Sequence, residues 1–149
     1  MNGIVIKTTG KEYTVRTDNL QIFKCFLKGK FRISGIKSTN PIVVGDRVTI
    51  EKESEIWSIV NLEQRKNQIL RKSVNLSKQT HVIAANIDQA ILMITLDSPV
   101  TRTSFIDRFL VAANAYSIDV VLLFNKIDLL KEELISVQKD LQLVYEKIG

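Results

Sequence analysis

Late in the chain, Asn125-Lys126-Ile127-Asp128 directly follows an apolar run, Asp119–Phe124 (DVVLLF). These residue types suit the reading of one nucleobase. A carboxylate such as that of Asp128 can accept hydrogen bonds from two adjacent N–H donors. Guanine presents that pair at N1 and its exocyclic N2; adenine has no match for it. Charge-assisted bonds of this kind contribute roughly 1.5–3 kcal/mol each, and a mismatched buried group reverses the sign. The Asn125 amide can reach N7 or O6 and brace the loop, while the Lys126 stem lies along the flat face of the ring. Asn125, Lys126 and Asp128 are therefore the candidate guanine-binding residues. The competing reading is a polar loop that caps a helix.

Such a loop needs a scaffold, and the flanking residues supply one. Gln89–Leu96 (QAILMITL) is a nearly continuous apolar run, as expected of a strand buried on both faces. Asp97-Ser98-Pro99 breaks it. Residues 103–117 then space Phe105, Ile106, Phe109, Leu110, Ala113 and Tyr116 as one face of a helix, with Thr103 or Ser104 as its cap. Asp119–Phe124 reads as a second buried strand. Glu132–Ile148 reads as a second helix with Leu134, Val137, Leu141, Val144 and Ile148 on one face. Strand, helix, strand, helix predicts parallel strands joined by a right-handed crossover, with ligands at the carboxyl ends of the strands. Asn125–Asp128 stands at such an end.

No G-x-x-x-x-G-K-[S/T] occurs, and none of the six glycines is spaced to supply one. Nothing evident therefore cradles phosphates or positions Mg²⁺, and no catalytic residue is assigned. With the base-reading loop ahead of any phosphate loop, either the domain is circularly permuted and its remainder is cut off, or the chain is not a GTPase. Two strands and two helices leave a sheet edge unpaired, so a complete domain is expected to continue past Gly149.

The first half has a different character. Gly3–Thr8, Tyr13–Thr17, Leu20–Leu27, Val43–Glu51 and Ile56–Leu62 are short runs rich in Val, Ile, Phe, Tyr and Thr. Thr9-Gly10-Lys11 suits a tight hairpin, and Gly45 within the fourth run suits a bulge or sharp bend. Five strands in about 60 residues predict a small β-barrel, an OB-fold first and an SH3-like barrel second. Residues 66–81, basic and then polar, read as a boundary. The expected layout is a barrel over residues 1–66, a linker over 67–81 and the start of an α/β domain over 82–149. In fold class this is all-β plus α/β.

Residues 1–66 hold 12 Lys and Arg against 7 Asp and Glu, which accounts for the chain's entire net charge of +5. A basic module suggests a polyanionic partner. Lys24, Lys28, Lys30, Arg32 and Lys37 fall in one stretch without an acid, interleaved with Phe23, Phe26 and Phe31. The basic residues are the candidate RNA contacts. The phenylalanines are expected to be barrel core, with stacking on unpaired bases as the alternative.

One cysteine, Cys25, and one histidine, His81, cannot converge as a metal site, so both are expected to pack or to sit at the surface, and no metal ligand is assigned. No apolar run approaches the roughly 20 residues of a membrane span, and the amino terminus lacks a signal-peptide core. A monomer in the cytoplasm, away from membranes, is the expectation.

In combination and order, four segments resemble the circularly permuted, ribosome small-subunit-dependent GTPases of the RsgA or YjeQ family. They are Val44-Gly45-Asp46-Arg47-Val48; Arg65-Lys66-Asn67 with Leu70-Arg71; Ile83–Gln89; and Ile106–Ala112 leading to Asn125–Asp128. The resemblance implies an OB-fold that contacts ribosomal RNA, a permuted P-loop GTPase domain using GTP or GDP and Mg²⁺, and a zinc-binding C-terminal module absent from these residues. It also implies a role in late maturation of the small (30S) ribosomal subunit, with GTP hydrolysis. The alternative is an RNA-binding OB-fold protein whose α/β portion is a non-catalytic scaffold.

Overall fold

The computed structural model describes residues 1–28, 41–72 and 80–148. The chain divides into two compact units, Met1–Asp88 and Gln89–Gly149.

The first unit is built on a closed barrel of β1 (Asn2–Thr9), β2 (Glu12–Thr17), β3 (Ile22–Leu27), β4 (Arg47–Glu53) and β5 (Ile56–Leu62). Around the barrel the strands run β1-β2-β3-β5-β4 and back to β1. Among the described barrel strands only β3 and β5 pair in parallel. This is the OB-like arrangement expected first. Alternation decides what the barrel buries. Val5, Tyr13, Val15, Cys25, Val48, Ile50 and Ile59 point inward, joined by Ile42, and Phe23, Leu27, Trp57 and Leu62 pack against them. Phe23 and Trp57 pack with their rings tilted by 42° and their centroids 4.4 Å apart. Burial pushes the Cys25 thiol up to about 11, since a thiolate there would lose its water. Cys25 therefore packs, as expected.

Thr9 pairs with Glu12 across a two-residue turn, and Gly10 takes the positive φ of 61° that the turn requires. β4 begins only at Arg47, so Gly45 lies ahead of the strand rather than inside it. Its φ is +91°, and a Cβ there would stand 1.9 Å from the Ala85 carbonyl oxygen. The residue at this position must be glycine, because another backbone occupies the side-chain space.

That backbone belongs to a second small sheet. β6 (Gln68–Lys72) and β7 (Thr80–Ala85) pair antiparallel within the same unit. Residues read in sequence as a linker thus carry strand, and the composition hid it: Lys66 and Arg71-Lys72 lack the usual apolar alternation.

In the second unit, β8 (Gln89–Ile94) and β9 (Asp119–Phe124) are parallel in register, Gln89 opposite Asp119 through Ile94 opposite Phe124. α1 (Thr103–Asn114) joins them and α2 (Glu132–Glu146) follows. Leu92, Ile94 and Ile106 form the core, with Phe109, Leu110, Val120, Leu122, Phe124 and Tyr145 against it. Three local expectations are corrected. Burial on both sheet faces does not hold among the described residues: Ile91, Met93, Val121 and Leu123 are exposed, because the helices cover one face only. On α2 the partly buried residues are Leu134, Gln138, Leu141 and Tyr145, while Val137, Val144 and Ile148 are exposed. The packed stripe is rotated toward Tyr145, which takes part in the core. Finally, Arg102 precedes α1 with no side-chain cap; Thr103 is already helical.

Candidate functional site

The parallel pair ends level, Ile94 opposite Phe124, and the Asn125 N–H donates to the Ile94 carbonyl at 2.9 Å, extending the ladder by one residue. The next residue leaves it. Lys126 adopts the left-handed conformation, φ 59° and ψ 33°, and a short 3-10 turn over Ile127–Leu129 follows, closed by Leu129 N–H to Lys126 O at 3.1 Å. A lysine in this region is strained unless its surroundings hold it. Here the Asn125 Oδ1 accepts the Lys126 N–H at 2.9 Å, and the Lys126 ammonium donates to the Ser98 carbonyl at 2.7 Å. The Asn125 amide nitrogen lies 3.3 Å from Met93 Sδ. Asn125 thus braces the loop through its own side-chain oxygen. Asp128 stands in the first turn of the 3-10 segment with its carboxylate exposed.

The Ser98 carbonyl comes from the loop after β8, which sequence reasoning treated only as a strand break. Thr95 and Thr101 tie that loop by two backbone-centred bonds, Thr95 N–H to Thr101 Oγ1 at 3.1 Å and Thr101 N–H to Thr95 O at 2.8 Å. Asp97 accepts from the Ser98 N–H at 2.9 Å and from its hydroxyl at 3.2 Å. These bonds, aided by Lys131 and Lys126, hold its carboxyl below the usual range. The signal available in sequence was a Thr-Leu-Asp-Ser-Pro stretch at the end of an apolar strand.

On the barrel, Lys24 and Lys28 are described; Lys30, Arg32, Lys37 and Phe31 lie outside the described residues. The basic stretch holds no acid of its own, but the fold brings two. Glu12 of β2 lies 3.4 Å from Lys24, and Glu53 of β4 accepts a hydrogen bond from Lys28, which raises the pKa of that lysine. Both acids come from other strands, β2 beside β3 and β4 beyond β5, so counting charge along the chain could not reveal them. The phenylalanines separate by alternation: Phe23 turns inward to Trp57, whereas Phe26 is 43% exposed on the outer face of β3, beside Glu12 of β2.

A third constellation went unread. Asp46, 0% exposed, is gripped by Arg65 and also accepts the Val43 N–H at 2.8 Å. Asn67 closes a reciprocal pair with Ile87, Nδ2 to O at 2.8 Å and N–H to Oδ1 at 2.7 Å. Asn86 donates to the Gly45 carbonyl at 2.9 Å and accepts the Lys66 N–H at 2.8 Å. Residues from three of the segments that carry the family likeness, around Gly45-Asp46, Arg65–Asn67 and Asn86-Ile87, are thus one structural knot inside the first unit.

Among the described residues no group of acids, histidine or cysteine could hold a metal ion. Among them, too, no helix is long and apolar enough to cross a membrane.

The model of the RsgA N-terminal domain matches residues 2–60, and that of the RsgA GTPase matches residues 62–149. The chain belongs to the RsgA GTPase family. The RsgA GTPase match begins within β5 and takes in β6 and β7, although those strands are compact with the first unit. The chain is 54% identical over 153 residues to the small ribosomal subunit biogenesis GTPase RsgA of Flavobacterium johnsoniae, aligning over 100% of this chain and 47% of that protein. A protein of the same name from Bacteroides fragilis is 49% identical over 150 residues, covering 100% of this chain and 48% of its own length. The chain spans about half the length of the curated RsgA relatives it matches. The crystal structure of YloQ, a circularly permuted GTPase, superposes with a TM-score of 0.66 at 25% identity, over 99% of this chain and 48% of that one.

Proposed function

We propose that this chain is the RNA-binding and base-reading portion of a GTPase that assists late maturation of the small (30S) ribosomal subunit. The observation that carries the proposal is the exposed Asn125–Asp128 loop at the carboxyl end of a parallel strand, in a chain whose relatives are named for that activity. Asp128 accepts the paired donors of guanine, Lys126 lies along the base, and Asn125 holds the loop in shape. The residues fit the ligand: the loop is braced from within, and its carboxylate is free to meet solvent-borne donors. The bound nucleotide, GTP or GDP, supplies the phosphoanhydride. Mg²⁺, the phosphate loop and the hydrolytic residues belong to sequence outside this chain, as does the family's zinc module.

The barrel, residues 1–66, is the ribosomal RNA module, joined through residues 67–81 to a permuted GTPase domain from residue 82 onward. Lys24, Lys28, Lys30, Arg32 and Lys37 meet phosphates. The pairs of Lys24 and Lys28 with Glu12 and Glu53 do not forbid this, because exposed ion pairs are weak, screened by salt and exchange readily. Among the described phenylalanines of this stretch, Phe26 is the one available for stacking. The protein works as a cytoplasmic monomer.

Nucleotide titration of the full-length protein tests the base-reading half. GDP binds and ADP does not, and Asp128→Asn shifts preference toward the xanthine nucleotide, whose O2 accepts where guanine's N2 donates. Equal affinity for adenine and guanine nucleotides would leave the α/β half a scaffold for an RNA-binding protein.

A further inference from the structure

Lys126 is held at both ends, its N–H on Asn125 and its ammonium on the Ser98 carbonyl. The Ser98 carbonyl is itself fixed by a loop closed on three hydrogen bonds. Thr95 N–H donates to Thr101 Oγ1 at 3.1 Å, Thr101 N–H donates to Thr95 O at 2.8 Å, and the Thr95 hydroxyl donates to the Pro99 carbonyl. A lysine stem is a flexible four-carbon chain, and ordering it at the moment of binding costs rotamer entropy. A stem already ordered spares the ligand that cost.

We propose that Thr95 and Thr101 are positioning residues for the nucleobase site: by closing the 95–101 loop they present the Ser98 carbonyl that sets the Lys126 stem before a base arrives. The inference rests on the guanine reading above. Neither threonine touches the base; both act through Lys126. The same two bonds hold the lysine in its left-handed backbone conformation.

A double-mutant cycle in the full-length protein tests it, read by GDP titration. Thr101→Val weakens GDP binding about five- to tenfold, the loss expected for one part-buried hydrogen bond. Thr101→Ser, which keeps the acceptor oxygen, restores near-native affinity. In a Lys126→Ala background Thr101→Val has no further effect, because its route to the ligand is already gone. If Thr101→Val lowers the folded fraction, Thr95→Val takes its place in the cycle. Equal weakening in both backgrounds overturns the proposal, as does unchanged affinity in the native one. An Asp128→Asn control separates the two levels: if it leaves GDP affinity unaltered, the base site itself is refuted. If Asp128 matters but Thr101 and Lys126 contribute additively, only the positioning role falls.

Discussion

Arg65 holds Asp46 through two parallel hydrogen bonds, Nε to Oδ1 at 2.7 Å and Nη2 to Oδ2 at 2.8 Å. The same guanidinium reaches the Pro41 carbonyl at 3.1 Å and Gln68 Oε1 at 3.0 Å. One planar fork therefore ties the segment before β4 to the start of β6, and the geometry is one that lysine cannot copy.

Removing one partner strands a carboxylate that has no water to fall back on. Arg65→Ala is expected to destabilise the barrel unit by about 3–5 kcal/mol. Urea unfolding followed by the fluorescence of Trp57, the only tryptophan of the chain, reads this directly. The double variant Asp46→Asn, Arg65→Gln loses less, because no unpaired charge remains. A loss below about 1 kcal/mol for the single variant would mean that Asp46 is reached by solvent.

Gly45→Ala meets both a left-handed φ and the Ala85 carbonyl, so strand β7 must give way. The cost is of order 1–3 kcal/mol from the backbone alone, with the clash added. Hydrogen exchange localises it: the Ala85 N–H, bonded to Val44 O at 3.0 Å, loses protection before the Val15 and Cys25 amides of the barrel. Uniform loss across the unit would instead implicate the barrel core.

Charge and stacking on the barrel are separable by salt. Reversing Lys28, Lys30 and Arg32 to glutamate weakens binding to the small subunit or its RNA and flattens the salt dependence, by roughly 0.7–0.9 in log–log slope for each phosphate that is no longer neutralised. Phe26→Leu weakens binding by roughly 1–3 kcal/mol and leaves the slope alone. A slope unchanged by the charge reversals would make those residues ordinary solvated surface.

Tyr145 donates to Asp107 Oδ1 at 2.8 Å, linking α2 to α1. Burial first, and then the Asp107 bond and charge, push its pKa up to about 12. The folded state thus keeps the phenolic proton over a range where the unfolded chain, near pH 10, has released it. Stability from this group is complete below pH 10 and lost as pH rises toward 12. Subtracting the alkaline unfolding curve of Tyr145→Phe from that of the native protein isolates the effect. A difference that stays flat from pH 9 to 12 would show that the hydroxyl contributes nothing.

Elements with a regular period were legible in sequence, and long-range partners were not. β5 and β9 have the ends that alternation and apolar runs gave them, and β1 and β2 differ by a residue or two. Ambiguity began where two patterns compete: on α2, Val137 and Val144 fit a helical stripe as well as Gln138 and Tyr145 do, and only the packed sheet chooses between them. β6 and β7 escaped because a short sheet bound by amide side chains needs little apolar periodicity. The base-reading tetrapeptide was visible because its residues are contiguous. The carbonyl that steadies its lysine sits 28 residues away, and a main-chain atom leaves no mark in the residue alphabet.

Cys25, sealed inside the barrel with its thiol pushed up to about 11, has a practical consequence. At neutral pH so little of it is thiolate that maleimide or disulfide reagents pass it by. A cysteine introduced anywhere on the surface of this chain will therefore take a fluorophore or spin label at one site, with no native residue to remove first.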